Sequence, residues 1–457
     1  MILRAVFFLW VVFGAPLFGV SAAGLSIGTF DIDATPPVGS RMAYDPVTNV
    51  WELGLRARGV VIAGAGAPVV LCAVDWIGIA NEGHDAFRNQ LAAAAGTTPD
   101  RVSVHCLHQH DAPECDFGAE TILRNEGVSA LNYEGTFARE MLGRLATAVA
   151  RATRETRPFT HIGVGEAKVR KVASNRRIFG PNGKVRAVRY TTSPDPKLRA
   201  EPEGVIDPAV SLVSFWNGNR PVAVLSYYAV HPQSYYRTGV ANPDFPGVAR
   251  FLRQIAVPEA LHVHFNGAGG NLGAGKYNDG SHENRRILGE RLADGMRRAW
   301  ESTQKQAVST AEVRWATEPV TLPVSKHLDE DKLMAQLKGR DASFLTANGA
   351  GRLAWLRRSK AGRAIDVGCL SLGRARILHL PGELFVEYQL NAKAERKDLF
   401  VAMAAYGDYG PFYIGTRVAY TEGGYETEPR SSNVAPEVEP VLMTAIRKLL
   451  KNSVIEN

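Results

Sequence analysis

Histidines crowd one short run, Val104-His105-Cys106-Leu107-His108-Gln109-His110-Asp111, which closes a strand-like segment. In an extended chain residues i and i+2 share a face, so His108 and His110 point one way and His105 the other. Two imidazoles on one face at a strand end can serve a single site, and imidazole is a common zinc ligand. A zinc that works on water needs about three protein groups and an open position. The two histidines fall short of that set, and packed or surface histidines give the same pattern.

Further donors stand at other strand exits. His231 follows the apolar run PVAVLSYYAV in Tyr228-Ala229-Val230-His231-Pro232. That position suits a site residue, and equally a histidine bonded to backbone. Glu383, in Leu380-Pro381-Gly382-Glu383, follows RILHL; Gly382 permits a tight turn, and the carboxylate would also be favoured simply by opening a helix. Tyr413 and Tyr425 lie in loops, where tyrosines commonly pack with a wet hydroxyl. The Gly-rich stretch 264–276 contains a GxxxxGK match from Gly270 to Lys276. Tyr277 stands where a Ser or Thr must hold magnesium, and YNDGSH does not continue as a helix, so a phosphate loop is rejected. The stretch is read instead as a source of backbone N–H groups for an oxyanion or for close approach of a substrate.

The elements that must position these residues alternate along the whole chain. Strand candidates include LSIGTFDI, APVVLCAVD, RVSVHC, PVAVLSYYAV, ALHVHF, AIDVGCLSL and ARILHLP. Helices are expected near 81–96, 134–153, 245–255, 283–302, 330–338, 384–394 and 435–451, with 325–365 a charged, mostly helical excursion. No internal repeat and no long linker stands out, so the expectation is a single large mixed α/β domain over 24–457, a mixed β-sheet core flanked by helices. With 45% hydrophobic and 22% charged residues the 457-residue chain is neither disordered nor fibrous. Its +7 net charge is spread out, without a nucleic-acid-binding signature, so nucleic acid is excluded as a partner. A mild basic excess suits peripheral contact with a membrane surface or an anionic glycan. Residues 1–23 read as a signal peptide, with an apolar run and small residues for cleavage, implying a periplasmic or secreted protein. The four cysteines allow two readings, a Cys106–Cys115 staple across the His-rich loop or four buried thiols.

Taken in order, these segments resemble the neutral (alkaline, non-lysosomal) ceramidase family, whose signatures are THTHSGP, NRS, AVHP, GNxSPN, PGE and a YVTT…YEG pair. The chain reads Leu107 to Pro113, Ser174-Asn175-Arg176-Arg177, Ala229-Val230-His231-Pro232, Gly270-Asn271-Leu272-Gly273-Ala274, Pro381-Gly382-Glu383, and Tyr413-Ile414-Gly415-Thr416 with Tyr425-Glu426. The opening GTFDIDATPP is similar too. The resemblance implies one zinc ion per chain held by His108, His231, Glu383 and Tyr413. It places His110, Arg176 and Tyr425 at the scissile amide as catalytic groups, and Asn271, Gly273 and Asp111 at the substrate.

Two departures shape the expected chemistry. The family's loop serine is replaced by Gly273, which leaves metal-bound water as the attacking group on an N-acyl bond. The sequence also ends soon after the YEG motif, so a domain without the family's C-terminal immunoglobulin-like domain is expected. The substrate is then a lipid or other small molecule bearing an N-acyl group. Two alternatives stand beside this reading. One is a zinc hydrolase of carbohydrate (deacetylase, esterase or glycosidase), with Arg176, Arg177, Arg237 and Lys276 facing an anionic sugar. The other is a non-catalytic binding protein on the same scaffold.

Overall fold

The computed structural model describes residues 24–338 and 343–451; the expected signal peptide, 1–23, lies outside them. Strands Ser26–Asp33, Arg56–Ala63 and Val69–Val74 form an antiparallel meander, and Val102–Cys106 joins parallel to the third. Helix Asn81–Ala95 makes that crossover, and Thr136–Arg154 packs across the first two strands. Val69–Val74 and Val102–Cys106 are buried along their whole lengths, as apolar strands covered on both faces must be.

The same topology occurs twice more. His161–Lys168, Ala209–Asn217 and Arg220–Tyr228 make a second meander, joined in parallel by Leu261–Asn266 after helix Asp244–Ala256. Val313–Val320, Ile365–Leu372 and Ala375–His379 make a third, joined in parallel by Phe400–Ala404 after helix Val386–Glu395. Helices Glu283–Glu301 and Val438–Lys451 cover the first two strands of their respective sheets. The sequence shows no repeat because the units share an order of elements and a burial pattern, not residue identities.

The parallel edge strands meet one another. Cys106 N donates to Tyr406 O and Ala405 N to Asn266 O, both at 2.9 Å, joining the three sheets into one mixed α/β body. His105, Phe265 and His379 fill the junction, with ring centroids 5.0–6.2 Å apart. His105 thus faces inward, away from His108 and His110. The carboxyl ends of strands from all three sheets open onto one crevice, the place where open α/β sheets bind ligands.

The Cys106–Cys115 staple does not form. All four cysteines are free and buried, and burial pushes the Cys106 and Cys115 thiols well above their usual range, keeping them protonated. Backbone bonds hold the His-rich segment instead, Leu107 N to Val74 O at 2.8 Å and His108 N to Trp76 O at 2.9 Å. The expected helices appear within a few residues of their bounds. The excursion contains Glu330–Leu337 and Phe344–Lys360, the latter packing on the former and on Phe117–Asn125. That last helix was not expected, although Asp116 caps it by accepting from Gly118 N and Ala119 N. Among the described residues no helix is long and apolar enough to cross a membrane.

Candidate metal centre

The convergence of His108 and His110 has a different origin from the strand pleat. The strand ends at Cys106, and His108 adopts a left-handed backbone, φ 71°. A non-glycine residue there is costly and must be held. Holding comes from the backbone bond to Trp76, from Nδ1 against Ile77 O at 2.7 Å, and from stacking on Tyr406 at 4.6 Å. A carbonyl only accepts, so Nδ1 carries a proton, and Nε2 is the nitrogen whose lone pair the neutral ring presents.

That lone pair faces Glu383. His108 Nε2 lies 3.2 Å from Glu383 Oε2, and His231 Nδ1 lies 3.6 Å from the same oxygen. All three atoms are buried without a hydrogen-bond partner. Glu383 Oε1 is fixed by the Tyr409 hydroxyl at 2.8 Å, which leaves Oε2 to face the imidazoles. Burial holds the His231 and His110 imidazoles well below their usual pKa, hence neutral, with the Arg176 guanidinium adding to the effect at both. Buried acceptors are not left facing each other without a cation between them. Two neutral imidazoles and a carboxylate are a donor set of zinc enzymes. His110 Nε2 lies 2.9 Å from His231 Nε2, and His108, His110 and His231 offer nitrogens all within 4.8 Å of one another.

The Gly-rich loop makes this geometry, in a way the sequence did not suggest. Two of its N–H groups are spent inside the protein, Gly267 on Tyr228 O at 2.8 Å and Gly270 on Leu384 O at 2.7 Å. They are not offered to an oxyanion. The glycines serve backbone proximity: a Cβ on Gly269 would sit 2.7 Å from Val230 C, and one on Gly270 would collide with Glu383 O. The loop is therefore wedged between the segments that carry His231 and Glu383.

Tyr413 pairs in parallel register with Glu383 and lines the same cavity. Its hydroxyl lies 3.2 Å from Arg176 Nη2 and 3.3 Å from the Tyr425 hydroxyl. Burial raises the Tyr413 pKa well above the usual phenol range although Arg176 opposes it. Arg176 is anchored by Gly270 O and sits 3.7 Å from buried Glu426. The residues expected at the metal and at the amide thus share one cavity of about 440 Å³.

The three residues expected at the substrate lie outside that lining. Asn271 is buried, donating to Glu387 at 2.9 Å and accepting from Val386 N at 2.9 Å. Gly273 lies behind Arg176; a Cβ there would meet Thr191 Cγ2 at 2.9 Å and Arg176 Cδ at 3.3 Å. Asp111 is buried under the rim, accepting from Arg237 N at 2.7 Å and Thr238 Oγ1 at 2.8 Å. Of the four cations considered for an anionic sugar, Arg177 pairs with Glu422 and Glu426, and Lys276 caps Arg199 O and Glu201 O. Arg176 lines the cavity, while Arg237 lies outside the lining, over the rings of Tyr44 and Tyr236 that belong to it. Sequence reasoning missed Tyr44, Thr191, Gln233, Tyr236 and Tyr409 in the lining. Of these, Gln233 and Tyr236, just beyond His231, carried a positional hint.

No protein-family model and no curated protein matches the chain. Among solved structures it is similar to a ceramidase complexed with C2, at TM-score 0.68 and 17% identity, covering 95% of this chain and 76% of that one. It is similar to the neutral ceramidase from Pseudomonas aeruginosa at TM-score 0.66, with 17% identity and the same coverage. The chain has the fold of the neutral ceramidase structures.

Proposed function

We propose that the protein is an exported, zinc-dependent hydrolase that cleaves an amide (N-acyl) bond. The observation that carries this reading is the trio of buried, unpartnered acceptors, His108 Nε2, His231 Nδ1 and Glu383 Oε2. Those residues would hold the zinc, with the Tyr413 oxygen as a further donor. Once bound, the metal would polarise a carbonyl and lower the pKa of a water. The ceramidase fold and the amide chemistry of ceramide make an N-acyl bond the preferred target.

The chain's own groups supply the rest. His110 is neutral and beside His231, so its imidazole takes the proton of the attacking water and returns it to the leaving nitrogen. Arg176 and the Tyr425 hydroxyl face the place where the carbonyl oxygen gains charge, and both donate to it. Water is the nucleophile because, among the described residues, no serine lines the cavity. Thr191 is committed to Gln233 at 2.7 Å and Thr192 to Ser234 O at 2.8 Å.

The test is hydrolysis of short-chain N-acyl substrates by purified protein before and after chelation. Activity that chelation removes, zinc restores and His110→Ala lowers by about 10²–10⁴-fold supports the assignment. Turnover indifferent to chelation would refute it.

A further inference from the structure

Among the described residues, Ile77 is the only aliphatic side chain in the cavity lining. Pockets for apolar ligands are lined mainly by hydrophobic groups, and a two-chain lipid needs such a surface. Here the mouth is built of aromatic rings that carry hydroxyls, together with one guanidinium. Tyr44 lies parallel to His110 at 5.4 Å and 19°, and Tyr236 meets Tyr44 edge-on at 4.9 Å. The Arg237 guanidinium rests over both tyrosines, 5.4 Å and 5.3 Å from their centroids.

Arg237 is exposed, and among the described residues no carboxylate lies within ion-pair distance of it. The neighbouring carboxylates are committed elsewhere. Asp111 holds the Arg237 and Thr238 N–H groups from below and lies 3.5 Å from Arg285, while Asp45 accepts from Gly239 N at 2.8 Å. Arg237 holds a left-handed backbone, φ 64°, above Asp111, and its side chain lies beside the mouth against the Tyr44 and Tyr236 rings that line the cavity. Across the mouth, Tyr190 is 50% exposed and lies 5.3 Å from the Tyr425 ring.

We propose that Arg237, Tyr44 and Tyr236 form a subsite for an anionic, ring-bearing amine half of the substrate, so that the enzyme acts on a negatively charged N-acyl amino sugar rather than on a two-chain lipid. This rests on the amide-hydrolase reading above. A guanidinium forks onto phosphate or carboxylate oxygens in a way a lone ammonium does not. Aromatic faces hold the cation by its charge and give a flat wall for a ring.

The experiment is calorimetry on the zinc-loaded protein with N-acetylglucosamine 6-phosphate and with N-acetylglucosamine, for the wild type and Arg237→Gln. The wild type is expected to bind the phosphate ester at least about tenfold more tightly, with the preference falling as salt rises, and Arg237→Gln to lose it. Equal affinity for both sugars, a preference that survives the substitution, or no binding of either overturns the subsite. Zinc content and amide hydrolysis, followed on the same samples, separate the two ideas. Cleavage of a short-chain ceramide without sugar binding overturns the subsite and leaves the hydrolase standing. A preference carried by Arg237 in a protein that cleaves no amide keeps the subsite and refutes the hydrolase.

Discussion

Two histidine clusters flank the same strand end and differ in what their nitrogens face. In the inner cluster, His105 Nδ1 bonds Ala405 O at 2.7 Å, and its Nε2 meets Ser103 at 2.8 Å and His379 at 3.0 Å. His379 keeps one unbonded nitrogen, Nε2, among the rings of Phe265 and Trp315. In the outer cluster, His108 and His231 turn bare nitrogens toward a carboxylate oxygen that also lacks a partner. Both clusters are buried, and burial lowers the pKa of His105, to about 3, as it lowers that of His231. Burial and neutrality therefore do not make a metal site. A shared carboxylate with an unspent lone pair does.

The comparison is sharpened first at the groups that stand beside the proposed metal without being assigned to hold it. Tyr425→Phe removes one donor to the developing oxyanion and should lower kcat by about 10²–10³-fold, with zinc content unchanged. Zinc loss in that variant would move Tyr425 into the ligand set. A smaller effect is expected from Tyr409→Phe, which frees Glu383 Oε1. Removing such a supporting hydrogen bond costs about 10–100-fold in metal affinity, which a chelator competition titration reads directly.

The inner cluster should answer differently. His105→Ala strands Ala405 O and His379 Nδ1 and should cost about 1–3 kcal/mol in denaturant unfolding, with zinc stoichiometry intact. Loss of zinc at unchanged stability would break the distinction between the clusters.

How much of this was legible in the sequence depends on where each residue sits. His108, His231 and Glu383 follow apolar strands, and a strand exit is visible as the end of an apolar run. Arg176, Tyr413 and Tyr425 could be placed only by resemblance, since nothing in their local pattern marks them. Tyr44 and Tyr409 were invisible, because loop residues reach the cavity through contacts distant in sequence. The Gly-rich loop was visible, but its purpose was misread. Whether a glycine faces a ligand or another backbone depends on tertiary neighbours, here Val230 and Glu383. The threefold topology was hidden for a related reason. The strand order is kept by buried apolar pattern, which tolerates exchange among Val, Leu, Ile and Ala without preserving a repeat.

An effect away from both clusters concerns Glu114, a buried carboxylate that accepts from Asn132 at 2.7 Å and Tyr133 at 3.2 Å. Burial outweighs those donors and raises its pKa to about 7. A raised folded pKa gives a contribution that is full below the unfolded value of 4.5 and is lost as pH rises through about 7. The stability of the wild type relative to Glu114→Gln should therefore fall over that window, by about 3 kcal/mol at most. Parallel denaturation curves at pH 5 and pH 8 would show it, and a constant difference would contradict it.

The most direct test of the account is zinc content by elemental analysis, wild type against Glu383→Ala, after incubation with zinc and removal of excess metal. The account predicts about one zinc per wild-type chain and almost none in the variant, with both proteins folded. No zinc in the wild type, or full occupancy in the variant, would contradict the claim that His108, His231 and Glu383 form a metal site.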